Sequence, residues 1–336
     1  MPHEIASLVE ISKKIGARPD YVQGGGGNTS VKISANEMHI KASGFRLSDM
    51  SLKKGFVGVD HKKIAAFYSS LDGSEDASKL NSANDRAVKK SVLDCGGDLR
   101  PSIETGFHTL AGKYVIHTHS VYANILNCSV DGQSILEKLF KDSVSVPYYP
   151  PGAALTLGVK NALSERDVGI FFLKNHGVVV SGDTARNAHI LHELITRRVK
   201  EKLKIESAYP RVCVTTIKKG SFKSSSFGIK AMMKRNREIV ENFSRVNLFP
   251  DQVVYGDDVG FAADAHSGIR IDVDKGTIIY DNTTYNKALT FEEVFISWLY
   301  IVDQIRRLGM VLNPLTEAET FHIANMESEK YRKTLT

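Results

Sequence analysis

Cysteine is scarce in this chain of 336 residues, and the three present, Cys95, Cys128 and Cys213, are scattered. That spacing excludes a disulfide framework and any Cys-x-x-Cys metal pair. No stretch approaches the roughly 20 apolar residues that cross a bilayer. The start, Met1-Pro2-His3-Glu4-Ile5, is not a basic segment followed by an apolar run. The expectation is a soluble, unexported cytoplasmic protein with no membrane partner. Charge of one sign is nowhere concentrated: charged residues make up 24% of the chain and leave a net +6. Arg197, Arg198, Lys200, Lys202 and Lys204 follow a helical pattern among polar neighbours, so they read as a solvated helix face and no nucleic acid partner is expected. A dinucleotide fingerprint is also missing. The run Gly24-Gly25-Gly26-Gly27 has a helical pattern before it and a strand pattern after it, the reverse of that motif, and it lacks the Gly-Lys-Ser/Thr of a phosphate-binding P-loop. No glycine-rich strand-to-helix fingerprint follows residue 256.

What is present is apolar patterning. At 42% hydrophobic, the chain can bury one large core and a smaller one. Ile5, Leu8, Val9, Ile11 and Ile15 recur at helical spacing up to Gly16, predicting a helix over 3–16. The glycine run then opens into Asn28-Thr29-Ser30-Val31-Lys32-Ile33, a strand paired with Met38-His39-Ile40-Lys41-Ala42, which ends in the small turn Ser43-Gly44. Glycines let backbone amides approach a ligand, most often an oxyanion. A strand is read at 56–59, a polar surface loop over 69–81, a helix at 85–95, and a helix opened by Pro101-Ser102 that carries Glu104 and His108. A long amphipathic helix over 184–205 carries His189, His192 and Glu193 on its faces. Polar residues 207–227 mark the boundary between a domain 1–210 and an α+β extension 211–336. In the extension we read a helix at 230–243, a strand at 253–255, a hairpin of 269–273 with 277–280, and helices at 291–308 and 317–335.

The chemistry is concentrated in His117-Thr118-His119. Alternate side chains of a strand share a face, so this pair aims two imidazoles at one point. His176 follows an apolar strand and precedes Gly177-Val178-Val179-Val180, which places a third imidazole in a turn at a strand end. A catalytic zinc takes three protein ligands and leaves a position open. His117, His119 and His176 complete that set, with Glu104 as fourth ligand or base. His108, one turn after Glu104, is a rival ligand that we read as structural.

These motifs resemble the class II aldolase/adducin family, the metal enzymes that include fuculose-1-phosphate and rhamnulose-1-phosphate aldolases and a ribulose-phosphate epimerase. The resemblance rests on Gly27-Asn28-Thr29-Ser30-Val31-Lys32, Ala42-Ser43-Gly44, Pro101-Ser102-Ile103-Glu104, His117-Thr118-His119-Ser120 and Asn175-His176-Gly177, in that order over residues 1 to about 210. Phe249 to Tyr255 and Pro101 to Thr105 are similar to the aldolase half of bifunctional rhamnulose-1-phosphate aldolase/alcohol dehydrogenases. The resemblance implies an α/β fold of three αβα layers around a mainly antiparallel sheet, with the smaller α+β unit behind it. It implies Zn2+, or another divalent metal, on His117, His119 and His176, with Glu104 as ligand or base. It implies a phosphate cradle from Gly27, Asn28, Thr29, Ser43, Gly44 and Ser102. The activity implied is cleavage of a ketose 1-phosphate to dihydroxyacetone phosphate and an aldehyde through a zinc-stabilised enediolate, by a homo-oligomer, tetramer or dimer. Another metal-dependent lyase or epimerase on the same scaffold, and a non-catalytic adducin-like protein, are the alternatives. The chain departs from the family pattern at Ile103 and Lys32. It has no tyrosine over 136–141 to act as proton donor, and Tyr148 and Tyr149 are the stand-ins.

Overall fold

The computed structural model describes residues 2–71, 77–94, 99–163, 169–256, 259–261 and 267–334. The first eight strands are β1 (Asn28–Lys32), β2 (Glu37–Lys41), β3 (Phe56–Asp60), β4 (Val92–Asp94), β5 (Tyr114–Thr118), β6 (Ser143–Val146), β7 (Ile170–Leu173) and β8 (Gly177–Gly182). They form one sheet in the order β4-β3-β2-β1-β5-β8-β7-β6. Every neighbouring pair is antiparallel except β6 with β7. All five residues of β5 are buried, as a central strand covered on both faces requires.

Two helical layers cover the sheet. Helices His3–Gly16, Val121–Asn127 and Ala185–Leu203 pack on one face against Val31, Tyr114, Ile116, Phe172, Val178 and Val180. Helices His61–Ser69, Ala77–Ser91, Thr105–Leu110 and Ala153–Leu163 pack on the other, against Met38, Ile40, Val57, Val115, Phe171 and Val179. The alternation in β5 is therefore explicit. Ile116 and Thr118 face the first layer, and Val115 faces the second with His117. Helix ends follow local chemistry. The Thr184 side chain accepts the Asn187 N–H at 3.0 Å, and Lys204 ends that helix in the left-handed region at φ 51.

Residues 214–334 add a second sheet of β9 (Val214–Lys218), β10 (Ser221–Ser224), β11 (Val259–Phe261), β12 (Ile269–Asp272) and β13 (Thr277–Asp281), ordered β11-β12-β13-β10-β9. The expected hairpin is present as the antiparallel pair β12 and β13. Helix Tyr285–Arg307 is buried all round from Thr290 to Ile305 and lies against helix Val121–Asn127, so the apolar core of this region is continuous with the first. No helix among the described residues is long and apolar enough to cross a membrane.

Several elements differ from the sequence reading. Residues 253–255, expected as a strand, end a helix Pro250–Tyr255: Pro250 stands at the first helical position, where its missing N–H costs nothing. Pro101 does not open a helix. It is extended and bridges Ala42, so the helix begins at Thr105 and Glu104 is its cap. The helix read at 85–95 spans Ala77–Ser91 and gives way to β4 at Val92, which pairs with Val59, while Cys95 lies outside the described residues. The loop read over 69–81 falls partly outside them too, and its last residues belong to that helix. The helix read at 230–243 is broken at Asn236, whose amide donates to Met232 O and Asp303, into Ile229–Arg235 and Arg237–Val240. Helix 291–308 starts earlier, at Tyr285, because Thr284 caps it. The last helix is two, Glu317–Asn325 and Glu327–Thr334, parted at Met326.

Candidate metal centre

His117 is the fourth residue of β5 and pairs in register with Asn28 of β1 and Val179 of β8. Its neighbours across the sheet therefore share its face. His119 follows just beyond the strand, and His176 sits in the turn between β7 and β8, after Asn175 in the left-handed region at φ 53. The ligand atoms of His117, His119 and His176 lie within 4.8 Å of one another. Their rings form a triangle with all three centroid pairs 5.0 Å apart. Glu104 closes it from the helix cap, Oε2 at 3.4 Å from His117 Nε2 and Oε1 at 3.3 Å from His176 Nε2. All four residues are 5% exposed or less.

Outer contacts fix the rings. His117 Nδ1 donates to the Val178 carbonyl at 3.1 Å, which leaves Nε2 bare on the inner side. His119 Nδ1 donates to Asp251 Oδ2 at 2.6 Å and likewise leaves Nε2 bare. The Asn28 amide donates to Glu104 Oε2 at 2.7 Å and to Ser102 Oγ at 3.1 Å, and its oxygen pairs with His108 Nε2. Ser30 Oγ meets the other nitrogen of His108 at 2.7 Å. His108 is thus a strut under Asn28, in the structural role read from the sequence.

The electrostatics follow from burial. Loss of water pushes His117 down to about 4 and His176 and His108 down to about 3, against the pull of Glu104, so all three are neutral near pH 7. Burial also opposes charge on Glu104, but the surrounding imidazoles and the Asn28 amide outweigh it and hold the carboxyl at about 2. Near pH 7 the result is an anionic oxygen beside the neutral imidazoles of His117 and His176. Nε2 of His117, Nε2 of His119 and Oε1 of Glu104 are buried with no hydrogen-bond partner among the described residues. Each such orphan costs about 1–3 kcal/mol, so several in one place need a common partner, and this donor set fits a divalent cation such as zinc.

Of the residues expected to cradle a phosphate, some lie together. Ser43 N donates to Arg100 O and Ser102 N to Lys41 O, which sets the Ser43-Gly44 turn beside Ser102. Lys41 Nζ donates to the Gly25 and Phe45 carbonyls and ties the glycine loop to that turn. Gly27, at φ +62, has no room for a side chain: a Cβ there would meet Val22 Cγ1 at 2.7 Å and His117 O at 2.8 Å. Thr29 is not brought in. Its side chain points to the opposite face of β1 and its hydroxyl bonds Ser12 at 2.7 Å, as strand alternation from Asn28 dictates. The Gly24 amide already holds an oxyanion, the Glu293 carboxylate at 2.6 Å. Of the tyrosine stand-ins, Tyr149 packs on helix Ala153–Leu163 at Gly158, and the Tyr148 hydroxyl is buried without a hydrogen-bond partner among the described residues.

The sequence reading missed the reach of residues beyond 210. Besides Asp251, the Leu248 and Asn313 carbonyls both accept from the Asn175 amide, at 2.9 and 2.7 Å, and the Asn313 amide donates back to Asn175 Oδ1 at 2.9 Å. Asp251 lies in the stretch 249–255 already singled out, but nothing in that stretch indicates which imidazole it meets.

The sequence profile of the Class II Aldolase and Adducin N-terminal domain matches residues 6–203. The chain belongs to this family. The N-terminal class II aldolase domain of a conserved protein from Thermoplasma acidophilum is 28% identical, with a TM-score of 0.52, over 60% of this chain and 93% of that one. A Bacillus subtilis protein described as uncharacterized oxidoreductase YuxG is 28% identical over 203 residues, which is 56% of this chain but 28% of that protein. A Haemophilus influenzae protein named 3-oxo-tetronate 4-phosphate decarboxylase is 27% identical over 198 residues, 52% of this chain and 76% of that protein. The chain thus spans little more than a quarter of the length of the Bacillus relative.

Proposed function

We propose that this chain is a metal-dependent lyase that breaks the carbon–carbon bond between the α and β carbons of a phosphorylated carbonyl sugar, leaving the electron pair on the carbon next to the carbonyl. Its proposed substrate is a ketose 1-phosphate of the rhamnulose or fuculose type, cleaved to dihydroxyacetone phosphate and an aldehyde. The observation that carries this reading is the convergence of three buried imidazoles on one carboxylate whose free oxygen has no hydrogen-bond partner among the described residues. His117, His119 and His176 would hold zinc, with Glu104 as fourth ligand or base, and the ion would supply Lewis-acid stabilisation of the electron pair left on carbon.

The chain's own groups do the rest. Asn28 holds Glu104 Oε2, so Oε1 is the oxygen free to take or give a proton. His108 and Ser102 hold Asn28, and through it they fix which oxygen stays free. Burial of all four donors keeps bulk water from quenching the carbanionic carbon. The glycine loop, Ser43, Gly44 and Ser102 offer backbone and hydroxyl groups to a phosphate beside this centre.

Decarboxylation is the second reading, favoured by the 27% identity to the Haemophilus decarboxylase. It makes the same demand, an electron pair left next to a carbonyl. The zinc-loaded protein should be given rhamnulose 1-phosphate, fuculose 1-phosphate and 3-oxo-tetronate 4-phosphate, with release of dihydroxyacetone phosphate and of carbon dioxide measured separately. Triose phosphate from a ketose 1-phosphate supports the aldolase reading, and carbon dioxide from the oxo acid supports the second. No product from any of the three sinks both.

A further inference from the structure

The outer nitrogens of the three imidazoles are treated differently. That of His117 meets a neutral carbonyl on the adjacent strand, and Nδ1 of His176 is buried with no hydrogen-bond partner among the described residues. That of His119 meets a carboxylate, Asp251 Oδ2 at 2.6 Å, brought from 132 residues farther along the chain. Asp251 is 1% exposed and sits in the first turn of helix Pro250–Tyr255. A buried carboxylate is costly unless strongly partnered. The N–H of an imidazole becomes a stronger partner once its other nitrogen binds a dication, because the ring is polarised toward the metal. The fit is close: a Cβ on Gly26 would meet Asp251 Oδ2 at 2.5 Å and His119 Nδ1 at 2.9 Å, so the glycine loop leaves room for this pair and for nothing larger.

We infer that Asp251 is a positioning residue for the metal centre. It accepts the Nδ1 proton of His119, fixes the ring with Nε2 toward the other donors and makes that nitrogen a better ligand, so that the region beyond residue 210 completes the centre within one chain. The inference rests on the metal-centre reading proposed above.

The test is zinc affinity of the full chain, titrated against a competing chelator, together with the visible spectrum of the cobalt-substituted protein. Asp251→Ala should weaken zinc binding about 10–100-fold. Asp251→Asn, which keeps shape and acceptor but not charge, should weaken it less and shift the cobalt bands, a change that a merely structural role would not cause. Glu292→Gln is the control. Its carboxylate is equally buried in the same region but receives bonds from Ser224, Ser226 and Tyr280 alone among the described residues, so zinc affinity should stay at the wild-type value. Wild-type affinity in both Asp251 variants, or an equal loss in Glu292→Gln, overturns the inference while leaving the metal reading intact. Absence of zinc binding by the wild-type chain overturns both.

Discussion

Residues up to 203 carry every donor of the proposed centre, whereas residues 214–334 touch it from outside, at His119, at Asn175 and at Gly24. The first region places its donors with short-range rules: strand alternation, a strand-end turn and a helix cap. The second reaches the same groups through side chains and carbonyls that have no fixed sequence distance from them. Placement is thus set locally, while part of the orientation, at His119 and at Asn175, is supplied separately by a distant part of the chain. The family profile covers the first region and stops before the second.

The comparison is broken or sharpened by four measurements, of decreasing effect. His176→Ala takes a donor from the first region, and the dialysed protein should lose its zinc altogether, read by elemental analysis. Full occupancy would mean that the triangle is not the site. Glu104→Gln should keep zinc on three imidazoles and lose about 10²–10⁴-fold in turnover, checked by steady-state kinetics beside metal content. An unchanged rate would remove Glu104 from its role as base.

Acid should act next, on the metal-free protein. Burial lowers His108, His176 and His192 to about 3 and His117 to about 4, from about 6.5 in the unfolded chain. Between those values the unfolded chain binds more protons, so stability is complete above about pH 6.5 and is lost as pH falls through the folded values. Urea midpoints taken downward from about pH 7 should show this fall, and a flat profile would contradict the burial of these rings. Zinc should steepen it, since bound imidazoles stay unprotonated in the folded chain while those of the unfolded chain still take up protons. The smallest effect belongs to the second region. Asn313→Ala removes one hydrogen bond to Asn175 and should cost about 1 kcal/mol in urea unfolding while zinc remains bound. If zinc were lost as completely as in His176→Ala, orientation and placement would not be separable.

Much of the site was legible because its parts obey local periodicities. A period of two puts His117 on the Val115 face whatever the rest of the chain does, and the same rule explains why the Thr29 side chain faces away from the side that Asn28 shares with Glu104. Local rules failed where two periods compete or a long-range partner decides. Val253-Val254-Tyr255 is too short to show a period, and the signal that mattered was Pro250 ahead of it. Pro101 suits a helix start and so suggests Glu104 inside a helix, but pairing of Pro101 with Ala42 moves that start to Thr105.

The sequence by itself determined the donor types, their strands and turns, and the face on which His117 lies, because these depend on backbone geometry within a few residues. Tertiary structure alone decided that Asn28 binds Glu104, that Asp251 meets His119 and that Asn313 clamps Asn175. Such contacts depend on how whole layers pack, and burial turned them into requirements by removing the water that would otherwise have satisfied those polar groups.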